Sequence, residues 1–246
     1  MGANLQAPLR AIFFDIDDTL FSTTAFVERA RGNAIQAMLN RGLKANKSDL
    51  LLELQSVVQE FGSNDTRHYN RLLQRLPLEA TQGCNTVLLV MAGVMAYHET
   101  KWKELRLREE AVSLLQGLSQ IDLRLGVITA GLRAKQMEKI LRLGIDSWVD
   151  SNLIFITDEM GIAKSNSKLY LECAARAGVS PESCLHIGDH PFRDMDTAQE
   201  AGFQTIWHRG SGKYADLREP RPADQAVTCL KDIPRMLKKE YGLSLD

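Results

Sequence analysis

The sequence has few cysteines, no long apolar run and almost no excess of either charge, and each of these shortages excludes a class of protein. Its four cysteines, Cys84, Cys173, Cys184 and Cys229, are scattered and form no CxxC pair. Neither a zinc site nor a disulfide framework is therefore predicted, and reduced thiols are expected. The net charge of -1 argues against a generally basic surface that would bind nucleic acid.

No segment is typical of a membrane span or an export signal. The longest apolar run, from Val87 to Tyr97, is too short to cross a bilayer and is predicted to form a buried helix. The N-terminal residues lack a charged stretch followed by an apolar one, and Gln6 fits a myristoylation signal poorly. We therefore predict a cytoplasmic monomer or homodimer that binds neither membrane nor nucleic acid.

The spacing of apolar residues divides the chain into two kinds of structure. Residues 11–16 are almost wholly apolar, which is typical of a strand buried on both faces. From about residue 23 to 108, apolar residues recur every three or four positions and predict helices with little else. Beyond residue 108 the pattern alternates, with strands predicted at 123–128, 153–156, 184–187 and 204–207 and helices at 109–118, 132–143, 167–177 and 192–201.

This alternation predicts an α/β fold with a Rossmann-like, mostly parallel sheet, helices on both faces and an inserted all-helical cap domain. We assign residues 1–21 and 107–246 to the α/β core domain and residues 22–106 to the cap. The insertion follows the carboxyl end of the first strand, where open α/β sheets place their active sites. The helix at 132–143 is expected to bury a face that carries Met137, Ile140 and Leu141.

Acidic residues follow the first strand directly. Asp15 and Asp17, in the sequence Asp-Ile-Asp-Asp-Thr, place two carboxylates at the end of a buried strand. Such a pair is costly unless it binds a cation or takes part in chemistry. A calcium loop is the alternative interpretation, but the Gly and bidentate Glu that it needs are absent after Thr19.

Two further segments can bind an anion beside the same sheet edge. Thr129, followed by Ala130, can offer a hydroxyl and backbone N–H groups to a phosphate oxygen. Thr is also a favoured helix N-cap, which is the alternative. Lys164 can reach the site as a point charge on a long stem, and Lys168 competes for this role by position.

A second acidic segment follows a later strand. Gly188 lets the chain turn, and Asp189 falls at the same sheet edge as Asp15. Asp194 lies five residues further on, behind Pro191. Helix capping is the alternative for these two acids, although it leaves the Gly-Asp pair at the strand end unexplained.

The order of these four motifs, together with the helical insertion, resembles the haloacid dehalogenase superfamily of hydrolases, in the subfamily with a helical cap after the first motif. The resemblance covers residues 10–208. Its motifs match Asp15, Asp17 and Thr19, then Thr129, Lys164, and Asp189 with Asp194. Ser165 stands where the family commonly has Pro, so Lys168 stays open as an alternative to Lys164.

The resemblance implies a magnesium-dependent phosphatase that acts on a small phosphorylated metabolite. Asp15 would be the nucleophile that forms an aspartyl-phosphate, and Asp17 the general acid and base. Mg²⁺ would be held by Asp15, by the backbone carbonyl of Asp17 and by Asp189. Phosphate would be bound by Thr129, Ala130 and Lys164, with Thr19 and Asp194 supporting these groups.

Three alternatives share the fold. A 2-haloacid dehalogenase needs the nucleophile but neither magnesium nor a leaving-group acid, so Asp17 and Asp189 argue against it. A phosphosugar mutase keeps the acid–base Asp and would need a bisphosphate activator. A catalytically inactive binding protein usually lacks one of the matched residues, and none is missing here.

Arginines in the helical insertion are candidates for substrate selection. Arg67, Arg71 and Arg75 lie four apart on a helix predicted from about residue 66 to 76, so they can form one positive stripe. A solvated surface face is the alternative.

Overall fold

The computed structural model of the protein describes residues 8–210, 212 and 214–245. These residues divide into two compact units, residues 8–24 with those of 106–245, here called the core unit, and Ala25–Leu105, here called the helical unit. The prediction that the N-terminus carries no export or myristoylation signal concerns mainly residues 1–7, which lie outside the described residues. Among the described helices, none combines the length and apolar character that a membrane span requires.

The helical unit is built from five helices, the first of which starts at the end of the core unit. They are α1 (Thr23–Leu39), α2 (Lys47–Phe61), α3 (His68–Arg75), α4 (Leu78–Thr81) and α5 (Thr86–Glu104). Ile35, Met38, Leu50, Leu54 and Leu72 are buried together at their centre. Because these residues recur at three- and four-residue spacing, each helix turns one apolar stripe inward.

The prediction that the apolar run of α5 is buried was wrong. Leu89 faces the core of the helical unit, but Val87, Leu88, Met91 and Met95 are 67%, 60%, 47% and 58% exposed. A unit of this size has too little interior to surround a helix on every side. Only the stripe of α5 that faces the neighbouring helices is therefore covered.

The arginine stripe contributes to packing within the helical unit. Arg71 donates to Asp65 at 3.0 Å, and its guanidinium lies 3.6 Å from the centre of the Phe61 ring. Arg75 forms ion pairs with two glutamates of α2. Charge pairing and stacking of this kind hold α3 against α2, so two of the three arginines are already engaged.

Six strands form the sheet of the core unit: β1 (Ala11–Phe14), β2 (Arg124–Thr129), β3 (Ile154–Ile156), β4 (Cys184–Gly188), β5 (Gln204–His208) and β6 (Gln225–Val227). Their order in the sheet is β3-β2-β1-β4-β5-β6, and every neighbouring pair is parallel. The predicted α/β fold with a mostly parallel sheet is confirmed.

Both faces of this sheet are covered. The helices of the core unit are α6 (Glu109–Leu118), α7 (Arg133–Leu143), α8 (Thr157–Met160), α9 (Lys168–Ala177), α10 (Thr197–Glu200) and α11 (Ile233–Tyr241). Phe13 packs on one face with Tyr170 and Cys173 of α9. Its neighbours Ile12 and Phe14 point to the other face and are also buried. Burial on both faces explains why β1 is apolar throughout.

The sheet order reverses at β1, which opens a crevice at the carboxyl edge of the sheet. From β1 the chain first builds the sheet outwards through β2 and β3, and then returns to add β4, β5 and β6 on the other side. Loops that leave the carboxyl ends of β1 and β4 therefore diverge and open a crevice between them. Asp15 follows β1 and Asp189 follows β4, so both lie at this crevice.

Candidate active site

Asp15 is the first residue after β1. Its backbone N–H donates to the carbonyl of Ile187 in β4 at 2.9 Å, which extends the pairing of the two strands to the rim of the crevice. Its side chain accepts a hydrogen bond from Lys164 Nζ at 2.6 Å. Both residues are buried, with Asp15 5% and Lys164 4% exposed.

Lys164 bridges Asp15 and Asp194. Burial lowers the pKa of Lys164, but the charges of the two carboxylates outweigh it and raise the pKa overall. Burial likewise raises the pKa of Asp194, while Lys164 and a hydrogen bond from His186 lower it overall. The pair is therefore charged at neutral pH. Lys168, the alternative predicted by position, is exposed at the start of α9.

A close backbone approach holds Asp194 in place. Residues Pro191–Asp196 form a wide, π-type helical turn, a rare geometry that is frequent at functional sites. This turn brings the Asp194 carboxylate so near β4 that a Cβ at Gly188 would lie 2.5 Å from Asp194 Cγ. The backbone N–H of His190 donates to the second carboxylate oxygen at 3.0 Å. Only glycine fits at position 188.

Three carboxylates converge at the crevice. Oxygen atoms of Asp15, Asp189 and Asp194 lie within 4.8 Å of one another. Burial raises the pKa of Asp189 to about 9, with a further contribution from the charges of Asp15 and Asp194. Burial also raises the pKa of Asp15 to about 7, against the opposing charge of Lys164. One lysine does not neutralise three carboxylates, and an all-oxygen set of this kind fits a hard divalent cation.

Asp17 lies outside this carboxylate cluster, and its side chain is 30% exposed. It accepts hydrogen bonds from Thr23 and Lys139 and from Gln136 Nε2 at 3.1 Å. Burial raises the pKa of Asp17, but the charge of Lys139 and these hydrogen bonds outweigh it, so the pKa is lowered overall. Asp17 is thus held by donors from two different helices.

Two buried hydroxyls have no hydrogen-bond partner among the described residues, namely those of Thr129 and Thr19. Thr129 ends β2, which pairs with β1 in the sheet. Leaving such a group unsatisfied costs about 1–3 kcal/mol, so a ligand oxygen is the natural partner for the Thr129 hydroxyl. The neighbouring carbonyl of Ala130 accepts from Gln136 Nε2 at 2.9 Å.

Gln136, Lys139 and His186 were not among the predicted site residues. The buried face of α7 consists of Gln136, Ile140 and Leu143, whereas Leu141 is 60% exposed. The predicted face was therefore rotated, because apolar spacing cannot indicate that a glutamine is buried for its hydrogen bonds. The sequence did contain an indication of His186, because a histidine stands between apolar residues in the buried strand β4.

The sequence is similar to known proteins that share these features of fold and motif. The model of the haloacid dehalogenase-like hydrolase family matches residues 9–202. Glyceraldehyde 3-phosphate phosphatase of Methanopyrus kandleri is 39% identical over 231 residues, which are 93% of this chain and 95% of that protein. The protein of the same name from Pyrococcus furiosus is 36% identical over 236 residues, 95% of each chain.

A solved structure shares the fold at lower identity. The 2-haloacid dehalogenase of Pseudomonas syringae superposes with a TM-score of 0.63 at 23% identity, and the match covers 94% of this chain and 99% of that one. The family match spans β1 to the end of α10 and includes every motif at the crevice. The chain belongs to the haloacid dehalogenase-like hydrolase family.

Proposed function

We propose that the protein is a magnesium-dependent phosphatase that hydrolyses a small phosphomonoester, with glyceraldehyde 3-phosphate as its substrate. The observation that carries the proposal is that Asp15, Asp189 and Lys164 meet at one crevice. Beside it ends β2, where the buried Thr129 hydroxyl has no hydrogen-bond partner among the described residues. The substrate is supported by the two relatives named above, which are similar over nearly the whole chain.

The chain's own residues divide the work between attack and proton transfer. Asp15 attacks phosphorus and the ester P–O bond breaks, which leaves an aspartyl-phosphate. Asp17 gives a proton to the departing oxygen, and it later takes a proton from the water that hydrolyses the aspartyl-phosphate. Lys164 and Thr129 donate to phosphate oxygens, with the Ala130 backbone beside them. Asp194 orients Lys164 through their ion pair.

The donor set at the crevice fits Mg²⁺. The ion would be held by the carboxylates of Asp15 and Asp189 and by the backbone carbonyl of Asp17. When bound, it supplies the positive charge that offsets repulsion between a carboxylate nucleophile and a dianionic phosphate. Burial, followed by the charges of neighbouring carboxylates, raises the pKa values of Asp15 and Asp189, so ionising both groups is costly unless a cation binds between them.

The rest of the chain suits the same proposal. The helical insertion at 22–106 would act as the cap that selects the substrate, since it is a separately packed unit placed directly after the Asp15 motif. A cytoplasmic location is supported by the four cysteines, all of which are free.

A substrate panel tests the proposal. With Mg²⁺, the purified protein is expected to hydrolyse glyceraldehyde 3-phosphate with a kcat/KM about 10-fold or more above that for hexose phosphates and nucleotides, and EDTA is expected to abolish turnover. Because this substrate also loses phosphate without enzyme, an Asp15→Asn sample provides the background rate. Release of halide from 2-chloropropionate without metal, or isomerisation of a sugar phosphate without net phosphate release, would replace the proposal by one of its alternatives.

The carboxylate cluster makes a prediction about stability and pH. Asp15 and Asp189 have raised pKa values in the folded protein, so the folded state binds more protons than the unfolded chain between about pH 4 and pH 9. The free energy of unfolding in EDTA is therefore expected to fall as pH rises through this window. Mg²⁺ binds the deprotonated carboxylates, so it should raise Tm more at pH 8.5 than at pH 6.

Asp189→Asn is the decisive variant for this prediction. At pH 8.5 in EDTA it should raise Tm by a few degrees, because folding no longer has to bury a carboxyl group whose pKa is raised to about 9 by burial and by the charges of Asp15 and Asp194, while the Mg²⁺-dependent shift and the activity are lost. At 100 times its Kd, the ion stabilises wild type by about 2.7 kcal/mol. Asp146→Asn, at an exposed aspartate of the core unit, is the control. If Asp189→Asn kept the full shift with Mg²⁺, Asp189 would not be a metal ligand.

A further inference from the structure

The carboxylate of Asp17 is surrounded by donors that the proposed mechanism does not use. Thr23 and Lys139 both donate to Oδ1, while Gln136 Nε2 donates to Oδ2 at 3.1 Å. Thr23 is close to Asp17 in sequence. Gln136 and Lys139 belong to α7, which follows β2, and lie 119 and 122 residues after Asp17. Both oxygens of Asp17 are therefore fixed by long-range contacts.

Packing alone does not fix this side chain. Asp17 is 30% exposed, whereas the side chain of Lys139 is only 15% exposed and Gln136 is 6% exposed. A partly exposed carboxylate has several rotamers open to it, and holding one of them requires directional bonds. Gln136, which is buried, and Lys139, which is partly buried, supply such bonds from α7.

The local backbone is shaped around Gln136. Its Nε2 also donates to the carbonyl of Ala130 at 2.9 Å, so one amide group ties the loop after Thr129 to Asp17. A Cβ at Gly131 would lie 2.8 Å from Gln136 Nε2, and φ at Gly131 is 142°. Gly131 therefore leaves room for the amide to cross the loop. Lys139 lies three residues after Gln136, which places it on the same face of α7.

We infer that Gln136 and Lys139 are positioning residues, which hold the Asp17 carboxyl group where it meets the leaving oxygen of the substrate. This inference rests on the proposed function, since it requires Asp17 to be the general acid and base. Asp17 takes up a proton from solvent or from the hydrolytic water of the preceding turnover, and this proton passes to the departing oxygen when the ester P–O bond breaks. The carboxylate that remains is the form that these donors stabilise, and it is the base needed for the next step.

Leaving-group dependence separates positioning from a merely structural role. An alkyl phosphate needs its leaving oxygen protonated, whereas p-nitrophenol leaves readily as an anion. Because kcat/KM covers only the steps up to departure of the leaving group, it isolates the acid role of Asp17. We expect Gln136→Leu and Lys139→Met to lower kcat/KM for glyceraldehyde 3-phosphate by about 10–100-fold and for p-nitrophenyl phosphate by about 3-fold or less.

Reference variants calibrate the comparison. Asp17→Asn should show the same selectivity with a larger loss, about 10²–10⁴-fold on the alkyl ester. Lys139→Arg keeps the charge and should recover most of the lost rate. Lys239→Met applies the same substitution to an exposed lysine of α11 in the core unit and should leave both substrates unchanged. KM for glyceraldehyde 3-phosphate should change little in the α7 variants, so that the loss falls on kcat.

The possible results distinguish a failure of the proposed function from a failure of the positioning role of Gln136 and Lys139. If wild type hydrolyses neither ester, the proposed function fails. If wild type is active and the α7 variants lose rate equally on both esters, or raise KM at constant kcat, Gln136 and Lys139 act on folding or on binding and the inference is overturned. Unchanged rates on both esters would overturn it as well.

Discussion

Asp15→Asn is expected to reduce phosphatase activity by about 10⁴-fold or more, to the level of the uncatalysed background, because it removes the nucleophile. The amide is similar in size to the carboxylate, but it cannot attack phosphorus and cannot bind a cation with the same charge. Lys164 loses one of its two buried partners, but Asp194 remains. The fold should therefore persist, and the loss should fall on kcat when initial rates are measured with Mg²⁺.

Two comparisons make that result informative. Circular dichroism and thermal unfolding should show a folded variant, and phosphate or vanadate should still bind through Thr129 and Lys164. The exposed control Asp146→Asn should retain wild-type turnover. Full activity in Asp15→Asn would remove Asp15 from the role of nucleophile, whatever the rest of the site does.

Lys164→Met is expected to have the second-largest effect, on stability and on catalysis together. Lys164 is the buried cation between Asp15 and Asp194, and breaking a buried ion pair by removing one partner costs about 3–5 kcal/mol. Loss of a donor to the transferring phosphoryl group should also lower kcat by about 10²–10³-fold. Urea unfolding in EDTA and steady-state kinetics with Mg²⁺ measure the two effects separately.

The pH dependence of this variant identifies the cause. At pH 5.5 Asp15 and Asp189 can hold protons, since burial raises their pKa values to about 7 and about 9. The stability lost on removing Lys164 should therefore be smaller at pH 5.5 than at pH 8. Lys168→Met decides between the two lysines, because a loss of catalysis at position 168 with none at 164 would transfer the phosphate-binding role to Lys168.

Much of the fold follows from the sequence because parallel strands have a simple signature. Residues buried on both faces must be apolar, so the short runs at β1, β2 and β4 were predicted within about two residues of their ends. The helix at Glu109–Leu118 was predicted with its observed bounds. Its four buried residues, Ala111, Leu114, Leu115 and Leu118, keep helical spacing without interruption.

Other elements depend on tertiary contacts that no local pattern contains. The predicted helix at 192–201 is helical over nearly its whole length, but Pro191–Asp196 forms a π-type turn and only Thr197–Glu200 is α-helical. The π-type turn brings Asp194 beside Gly188. The apolar run of α5 is long enough to suggest burial, but burial depends on how many neighbours the helix has. The spacing of apolar residues shows that a helix is apolar, but it does not show which elements pack around that helix.

The site shows the same division. Motif spacing and the family resemblance name Asp15, Asp17, Thr129, Lys164 and Asp189, but the distances between them depend on the strand order, which places β4 beside β1. Asp194 joins Asp15 and Asp189 in one cluster only because the chain turns tightly after β4. Gln136 and Lys139 escaped notice because a helix after a phosphate-binding loop is expected to pack on the sheet through apolar residues.

The proposed mechanism requires that Asp15 and Asp189 share one divalent cation while Asp15 faces phosphorus. A crystal structure with Mn²⁺ and orthovanadate tests this directly, with the metal located by its anomalous signal. We expect Mn²⁺ bonded to carboxylate oxygens of both aspartates and vanadium in line with an Asp15 oxygen, with Lys164 and Thr129 donating to the vanadate. Manganese bound without Asp189, or vanadate bound away from Asp15, would contradict the account.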